Sequence, residues 1–448
     1  MKTELKEKYG LITAIAMVVG IVIGSGVFFK AEKVLNATGG NLPLGILAWV
    51  IGGLIMIACA YTFAVMATRY QYVNGIVDYA EATMGSTYGY YVGWFMALIY
   101  YPTLTSVLAW VSARYTCVLF GFDIVGGPCM TMACFFLIAS YALNTLSPVL
   151  SGKFQVSTTV IKLIPLFLMA VIGTIVGLKT GMTAQNFTNV VTEVNQSHAL
   201  FTAVVATAFA YEGWIVATSI NAELKDSKKN LPIALVCGTF IIMAVYILYY
   251  VGLAGAVTNK VMMAGGEAGA KLAFETLFTN VGGTLIFVFV IISCLGTLNG
   301  LMLGCSRGIY SIASRNEGPH PEVFGQVDKV TNMPTNSSVL GVLLCAGWLL
   351  YFYGANLADP KWFGFFCFDS SELPIVSIYA LYVPIFLMMI KKETDLSAFK
   401  RFLMPILAII GCVFMIVAAC FSHGIAVVAY LIVFAIIMLI GAVLNKKK

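Results

Sequence analysis

Apolar stretches of about 20 residues recur along the whole of this sequence, each long enough as a helix to cross the roughly 30 Å hydrocarbon core of a bilayer. Backbone groups in that core have no water to bond, so each N–H and C=O must be satisfied within its helix or by other protein. Composition agrees: 60% of the 448 residues are hydrophobic and 10% are charged, against about 25% charged in soluble domains. The sequence therefore predicts an all-α polytopic membrane protein of about twelve transmembrane helices. They are expected at residues 10–33, 43–68, 86–118, 128–147, 154–178, 199–221, 231–256, 282–314, 335–354, 362–390, 402–421 and 424–444. Residues 1–448 form a single transmembrane domain, with little chain left for a soluble one.

The N-terminus is charged, and the apolar run behind it is longer than a signal-peptide core, with no small-residue cleavage site before Lys30. The first segment is expected to be retained, ending at the polar Lys30–Lys33 stretch. About 18 of the 26 lysines and arginines fall on the N-terminal side of the membrane, which predicts a cell-membrane protein with both termini cytoplasmic. The net charge of +6 is dispersed over short loops, so it is topogenic charge and gives no nucleic-acid surface. Eleven cysteines, mostly in apolar runs and without a CxxC pair, read as small buried hydrophobes; Cys117 and Cys129 flank one loop. His198, His320 and His423 lie near segment ends without ligand spacing, so neither a metal nor a cofactor is expected.

Two segments carry mid-span interruptions. Residues 20–28 read Gly-Ile-Val-Ile-Gly-Ser-Gly-Val-Phe. Glycine lowers helix propensity by roughly 1 kcal/mol relative to alanine, so Gly24-Ser25-Gly26 invites the helix to open. Backbone opens at membrane depth only where it is buried in protein or lines a cavity. An opened helix offers N–H groups on one half and C=O groups on the other, a site for a small zwitterion. Segment 6 has its own break at Glu212-Gly213. Breaks in segments 1 and 6 suit a five-plus-five inverted repeat with discontinuous helices 1 and 6, over 10–178 and 199–390, with helices 11 and 12 added at 402–444. Gly20, Gly52 and Gly53 are expected only to let helices pack closely.

Residues 20–29 resemble the first-helix motif of the amino acid–polyamine–organocation superfamily. Phe209-Ala-Tyr-Glu-Gly-Trp214 resembles its sixth-helix motif, especially in the L-amino-acid transporter branch. Residues 223–232, Glu-Leu-Lys-Asp-Ser-Lys-Lys-Asn-Leu-Pro, resemble the family's cytoplasmic loop, and Tyr310, Arg315, Gly318 and Pro321 the loop after helix 8. The resemblance covers residues 10 to about 325. It implies that the substrate α-carboxylate meets the opened first helix at Ser25, Gly26 and Val27, as an anion does at a helix N-terminus. It implies that the α-ammonium meets carbonyls at Val22 or Ile23 and at Phe209, Ala210 and Glu212, and that Phe209 is an outer gate.

Lys162 stands nine positions beyond Lys153, about 13–14 Å along a helix and near the bilayer centre. A lysine so deep must face protein. The resemblance implies that its ammonium replaces the sodium ion of related sodium-coupled carriers and bridges the opened first helix to segment 5. Glu212 departs from the family pattern, and Asp369-Ser-Ser-Glu372 in segment 10 adds two further acids; both are candidates for a proton or a cationic-substrate role. Glu372 lies 11 positions beyond Lys361, about 16 Å into a continuous helix. Tyr100, Tyr101, Trp110, Trp348, Tyr351, Trp362, Phe363 and Phe365 are expected in interfacial belts, whereas Trp214 follows a break and is a site candidate. The loop at Arg69, Tyr70 and Gly75 receives no substrate role.

The expected function is a sodium-independent exchanger that moves L-amino acids by alternating access, a small neutral amino acid being favoured. A proton-coupled carrier of cationic amino acids or polyamines is the alternative, because of Glu212, Asp369 and Glu372. No P-loop of the GxxxxGK[ST] form is present, which disfavours a primary pump. A channel would be expected to show a charged ring or pore loop, and an enzyme a nucleophile–base pair or metal cluster; the sequence shows neither. An amino acid sensor would share the binding motifs without flux. The expected partners are the amino acid and the lipid bilayer, with no obligatory protein partner.

Overall fold

The computed structural model describes residues 10–70, 75–217 and 224–445. The charged chain ends, Glu223 and residues 71–74 of the loop before Gly75 lie outside the described residues. Among the described residues, ten helices are long and apolar enough to cross a membrane. An eleventh span is the pair α1 (Leu11–Val22) and α2 (Gly26–Ala37), bent by 55° at the Gly-Ser break. The remaining expected segment is α7 (Gln196–Tyr211) with a short continuation, α8 (Trp214–Ala217), after Glu212-Gly213.

The ten long helices are α3 (Leu42–Arg69), α4 (Ser86–Phe120), α5 (Gly127–Leu146), α6 (Pro148–Thr180), α9 (Ser227–Ala256), α10 (Glu267–Ala313), α11 (Thr335–Leu357), α12 (Leu373–Lys392), α13 (Phe399–His423) and α14 (Ile425–Leu444). α10 is two helices across a kink at Phe278 and Thr279. α6 is interrupted at Lys162, because Pro165 has no N–H to donate to the carbonyl of Ile161.

Two boundaries correct the sequence reading. The first span runs on to Ala37, so Lys30 is inside a helix rather than at its polar end. Segment 10 begins at Leu373 rather than at 362, and residues 358–372 form a loop with one short turn at Gly364–Phe366. Asp369 Oδ1 accepts the Ser371 N–H at 2.6 Å, and Pro374 suits only a first helical turn. Glu372 is thus the residue before a helix, not one deep inside it.

The described residues cluster into two compact units. The first comprises 1–89, 166–277 and 376–422 and therefore holds both broken spans. Its core is aromatic: Trp49 meets Tyr211 and Tyr246 at 5.6 Å between ring centroids, and Phe63 meets Trp214, Tyr382 and Phe386. Gly52 gives the backbone room that Thr207 and Tyr211 fill, and Gly53 does so for Met243, as expected of small residues between membrane helices. At one rim Arg69 pairs with Asp395 and Glu393, and the guanidinium holds the exposed Asp395 carboxyl below the usual carboxylate range.

The second unit comprises 90–165, 278–375 and 423–448. Asn144, Ser151, Gln155 and Asn299 form a buried hydrogen-bond network there. Tyr100 and Trp110 are buried in this unit, at 4% and 3% exposure, and Trp110 packs on Phe352. They are core residues, not interfacial ones, because they lie inside α4 rather than at its ends.

Candidate functional site at the two broken helices

α1 ends at Val22, and Ile23 turns out of the helix with extended backbone (φ −63°, ψ 108°). α2 restarts at Gly26 after only Gly24 and Ser25. In the sixth span Glu212 is extended (φ −72°, ψ 158°). Gly213 then adopts φ +104°, a left-handed conformation that a Cβ opposes. The second break thus depends on glycine at Gly213, whereas in the first the chain leaves the helix at Ile23, just before Gly24.

The first unit brings the two breaks together. A Cβ on Gly26 would stand 2.6 Å from the Cα of Ala210 and 3.2 Å from the carbonyl oxygen of Phe209, so α2 and α7 touch backbone to backbone. Gly213 faces Ile21 and Val22. Ile23, Ser25 and Val27 are wholly buried, and Phe209 retains 8% exposure. Of the expected site residues, Val22, Ile23, Ser25, Gly26, Val27, Phe209, Ala210 and Glu212 thus belong to this one unit and cluster around a single junction.

Tyr246 of α9 closes that junction and carries no motif that would have marked it. Its hydroxyl is 3.0 Å from the carbonyl oxygen of Ala210 and 3.3 Å from that of Val22. One buried side chain thus caps both interrupted helices, using the orphan groups that a helix end leaves. A Tyr246→Phe variant keeps the ring and removes these bonds. Its melting temperature is expected to fall by the equivalent of about 0.5–1.5 kcal/mol, with a several-fold loss of transport, both measurable on purified and reconstituted protein.

Glu212 lies beside the junction with both carboxylate oxygens shielded from solvent. Trp214, which follows it, is wholly buried against Phe63 and Tyr382.

A second residue escaped the sequence reading. Lys30 is completely buried, with its ammonium 5.1 Å from the Phe29 ring centroid and 5.2 Å from that of Phe209. The signal was present in spacing: Lys30 follows Gly26 by one helical turn, about 6 Å. An apparent loop position at Lys30–Lys33 concealed it.

The other candidates belong to the second unit. Lys162 is 5% exposed at the interruption of α6, where its N–H donates to Thr158 at 3.0 Å. Asp369 is engaged by the Ser371 N–H and hydroxyl. Glu372 pairs with His423 at 3.2 Å, both largely buried. This contact joins the residue before α12 to the last residue of α13, positions that favour an anion and a cation respectively. Among the described residues no group of three or more His, Cys, Asp or Glu could hold a metal ion.

Residues 9–443 match the family model described as "Amino acid permease". The serine/threonine exchanger SteT of Bacillus subtilis (strain 168) is 30% identical over 426 residues, covering 93% of this chain and 92% of that protein. The human b(0,+)-type amino acid transporter 1 is 25% identical over 370 residues, 78% of this chain and 74% of that one. The human cystine/glutamate transporter is 25% identical over 329 residues, 73% of this chain but only 64% of that longer protein. The chain is a member of the amino acid permease family, within the amino acid–polyamine–organocation superfamily.

Proposed function

We propose that this protein is a sodium-independent exchanger of small neutral L-amino acids, working by alternating access in the cell membrane with both termini cytoplasmic. The observation that carries the reading is the meeting of two interrupted helices at Gly26 and Ala210. In this reading the α-carboxylate is held by the amides of Ser25, Gly26 and Val27, where a half-helix begins and its dipole favours an anion. The α-ammonium is held by carbonyls at Val22 or Ile23 and at Phe209, Ala210 and Glu212. Recognition then uses only the atoms common to all amino acids, and the walls choose the side chain.

Lys162 serves as a fixed cation in place of sodium, bracing the opened first span from α6. Its burial supports that role, because an intramembrane ammonium requires oxygen partners. The likeness to a serine/threonine exchanger over most of both chains supports exchange and a small substrate. The polypeptide performs this without an obligatory partner chain.

Counterflow tests the reading. Liposomes holding the purified protein and internal serine are expected to take up labelled serine faster than empty ones, and equally well when choline replaces sodium. Uptake that requires sodium, or that ignores internal amino acid, would contradict it.

A further inference from the structure

In the first unit, the turn between α12 and α13 carries an uneven charge. Residues 391–401 read Lys-Lys-Glu-Thr-Asp-Leu-Ser-Ala-Phe-Lys-Arg, four cations against two acids. Both acids are engaged from the end of α3. Arg69 pairs with Glu393 and Asp395, and the Tyr70 hydroxyl donates to Glu393 at 2.6 Å. The cations of the turn meet neutral groups instead. Arg401 Nε donates to the carbonyl of Ile390 at 2.8 Å, and its guanidinium lies 4.8 Å from the Phe402 ring centroid. That bond brings Arg401, near the start of α13, to the backbone next to Lys391 and Lys392, the last residues of α12. Lys392 Nζ reaches the carbonyl of Ala82 at 3.4 Å, while Lys391 and Lys400 are exposed. Phe399, Phe402 and Leu403 are exposed beside them, and Phe399 is anchored edge to face on Tyr61 of α3. One apolar span ends at Lys392 and the next begins at Phe399, which places the turn where hydrocarbon meets headgroups.

We propose that the α12–α13 turn is a binding site for the phosphate headgroup of an anionic phospholipid. A guanidinium presents a planar fork of N–H groups that matches phosphate oxygens. Arg401 spends one N–H on Ile390 and rests on Phe402, so it arrives oriented and loses little rotamer freedom when it binds. Lys391 and Lys400 add positive charge around it, and the two acids of the turn are committed to Arg69 and Tyr70 rather than to these cations. Phe399, Phe402 and Leu403 offer apolar surface to the upper acyl chains, the pairing of basic and apolar faces that favours an anionic membrane surface. A zwitterionic lipid carries its own cation, which the lysines repel; the site therefore selects a headgroup with net negative charge. Charge that serves topology alone needs only the correct side of the membrane, whereas Arg401 is fixed by backbone and ring.

The test needs no transport and is independent of the exchange reading. Purified full-length protein in detergent is melted with phosphatidylglycerol, with an equal amount of phosphatidylcholine, or with inorganic phosphate, and lipids retained on the protein are counted by native mass spectrometry. Phosphatidylglycerol is expected to raise the melting temperature by about 2 °C or more beyond phosphatidylcholine, and phosphate to leave it unchanged. The double variant Lys391→Gln/Lys400→Gln is expected to lose at least about half of that increment, and Arg401→Gln most of it. Arg401→Lys keeps the charge without the fork and is expected to fall between. Lys228→Gln/Lys229→Gln, which neutralises an exposed basic pair at the start of α9, is expected to keep the full increment. If Arg401→Gln folds poorly, the count of retained phosphatidylglycerol on Lys391→Gln/Lys400→Gln decides. Equal shifts from the two lipids overturn the site, as does an unchanged count in that double variant. An equal loss in Lys228→Gln/Lys229→Gln would replace it with diffuse surface attraction. A shift reproduced by phosphate alone would replace it with a free-anion site.

Discussion

Gly26→Val is expected to reduce exchange by about 100-fold or more, the scale on which a displacement of about 1 Å erases productive positioning. A side chain at this position meets backbone, not a yielding side chain: its Cβ would fall 2.6 Å from Ala210 Cα. α2 and α7 must therefore move apart. The displacement reaches the amides of Ser25, Gly26 and Val27 and the carbonyls of Phe209 and Ala210 together. Overpacking of this kind costs about 1–3 kcal/mol of stability, so the folded fraction is checked by melting and size exclusion before rates are compared. Gly26→Ala is expected to show the same effect in milder form. Wild-type exchange in Gly26→Val would remove the junction from the mechanism.

Lys162→Ala has the second largest expected effect. In the account given, its ammonium satisfies oxygens of α6 and of the opened first span that sodium serves in other carriers. Removing one partner leaves acceptors without donors, at about 1–3 kcal/mol each. Since about 1.4 kcal/mol corresponds to tenfold, substrate affinity and exchange rate are expected to fall by about ten- to 100-fold. Lys162→Arg keeps the charge but changes the shape of the donor, and an intermediate loss is expected. Unchanged exchange in Lys162→Ala, in protein that melts normally, would reduce Lys162 to a structural lysine.

Much of this molecule was legible before its structure. Apolar length marked the spans because hydrocarbon leaves a chain almost no alternative, and glycines marked both breaks because glycine lowers helix propensity where the chain opens. What sequence left hidden was of two kinds. Tyr246 carries no local oddity; its role exists only because folding brings the ends of α1 and α7 to one hydroxyl. Lys30 and Glu372 were misplaced by span boundaries. Charge at Lys30–Lys33 ended the first segment too early, and the aromatic loop before Asp369 passed for helix because its residues are as apolar as a span. Trp110 shows the converse error, an aromatic assigned to the interface that α4 buries.

The central claim is that the two opened helices hold the two charges of an amino acid backbone. Inhibition of labelled serine exchange by backbone-blocked analogues tests it most directly. Serine methyl ester lacks the carboxylate and N-acetylserine lacks the ammonium. Each is expected to inhibit at least about 100-fold more weakly than serine, because each leaves one helix end without its charge-assisted partner. Other neutral amino acids with both groups free are expected to compete within about tenfold of serine, in proportion to their fit. Inhibition by either blocked analogue at serine's own concentration would contradict the account.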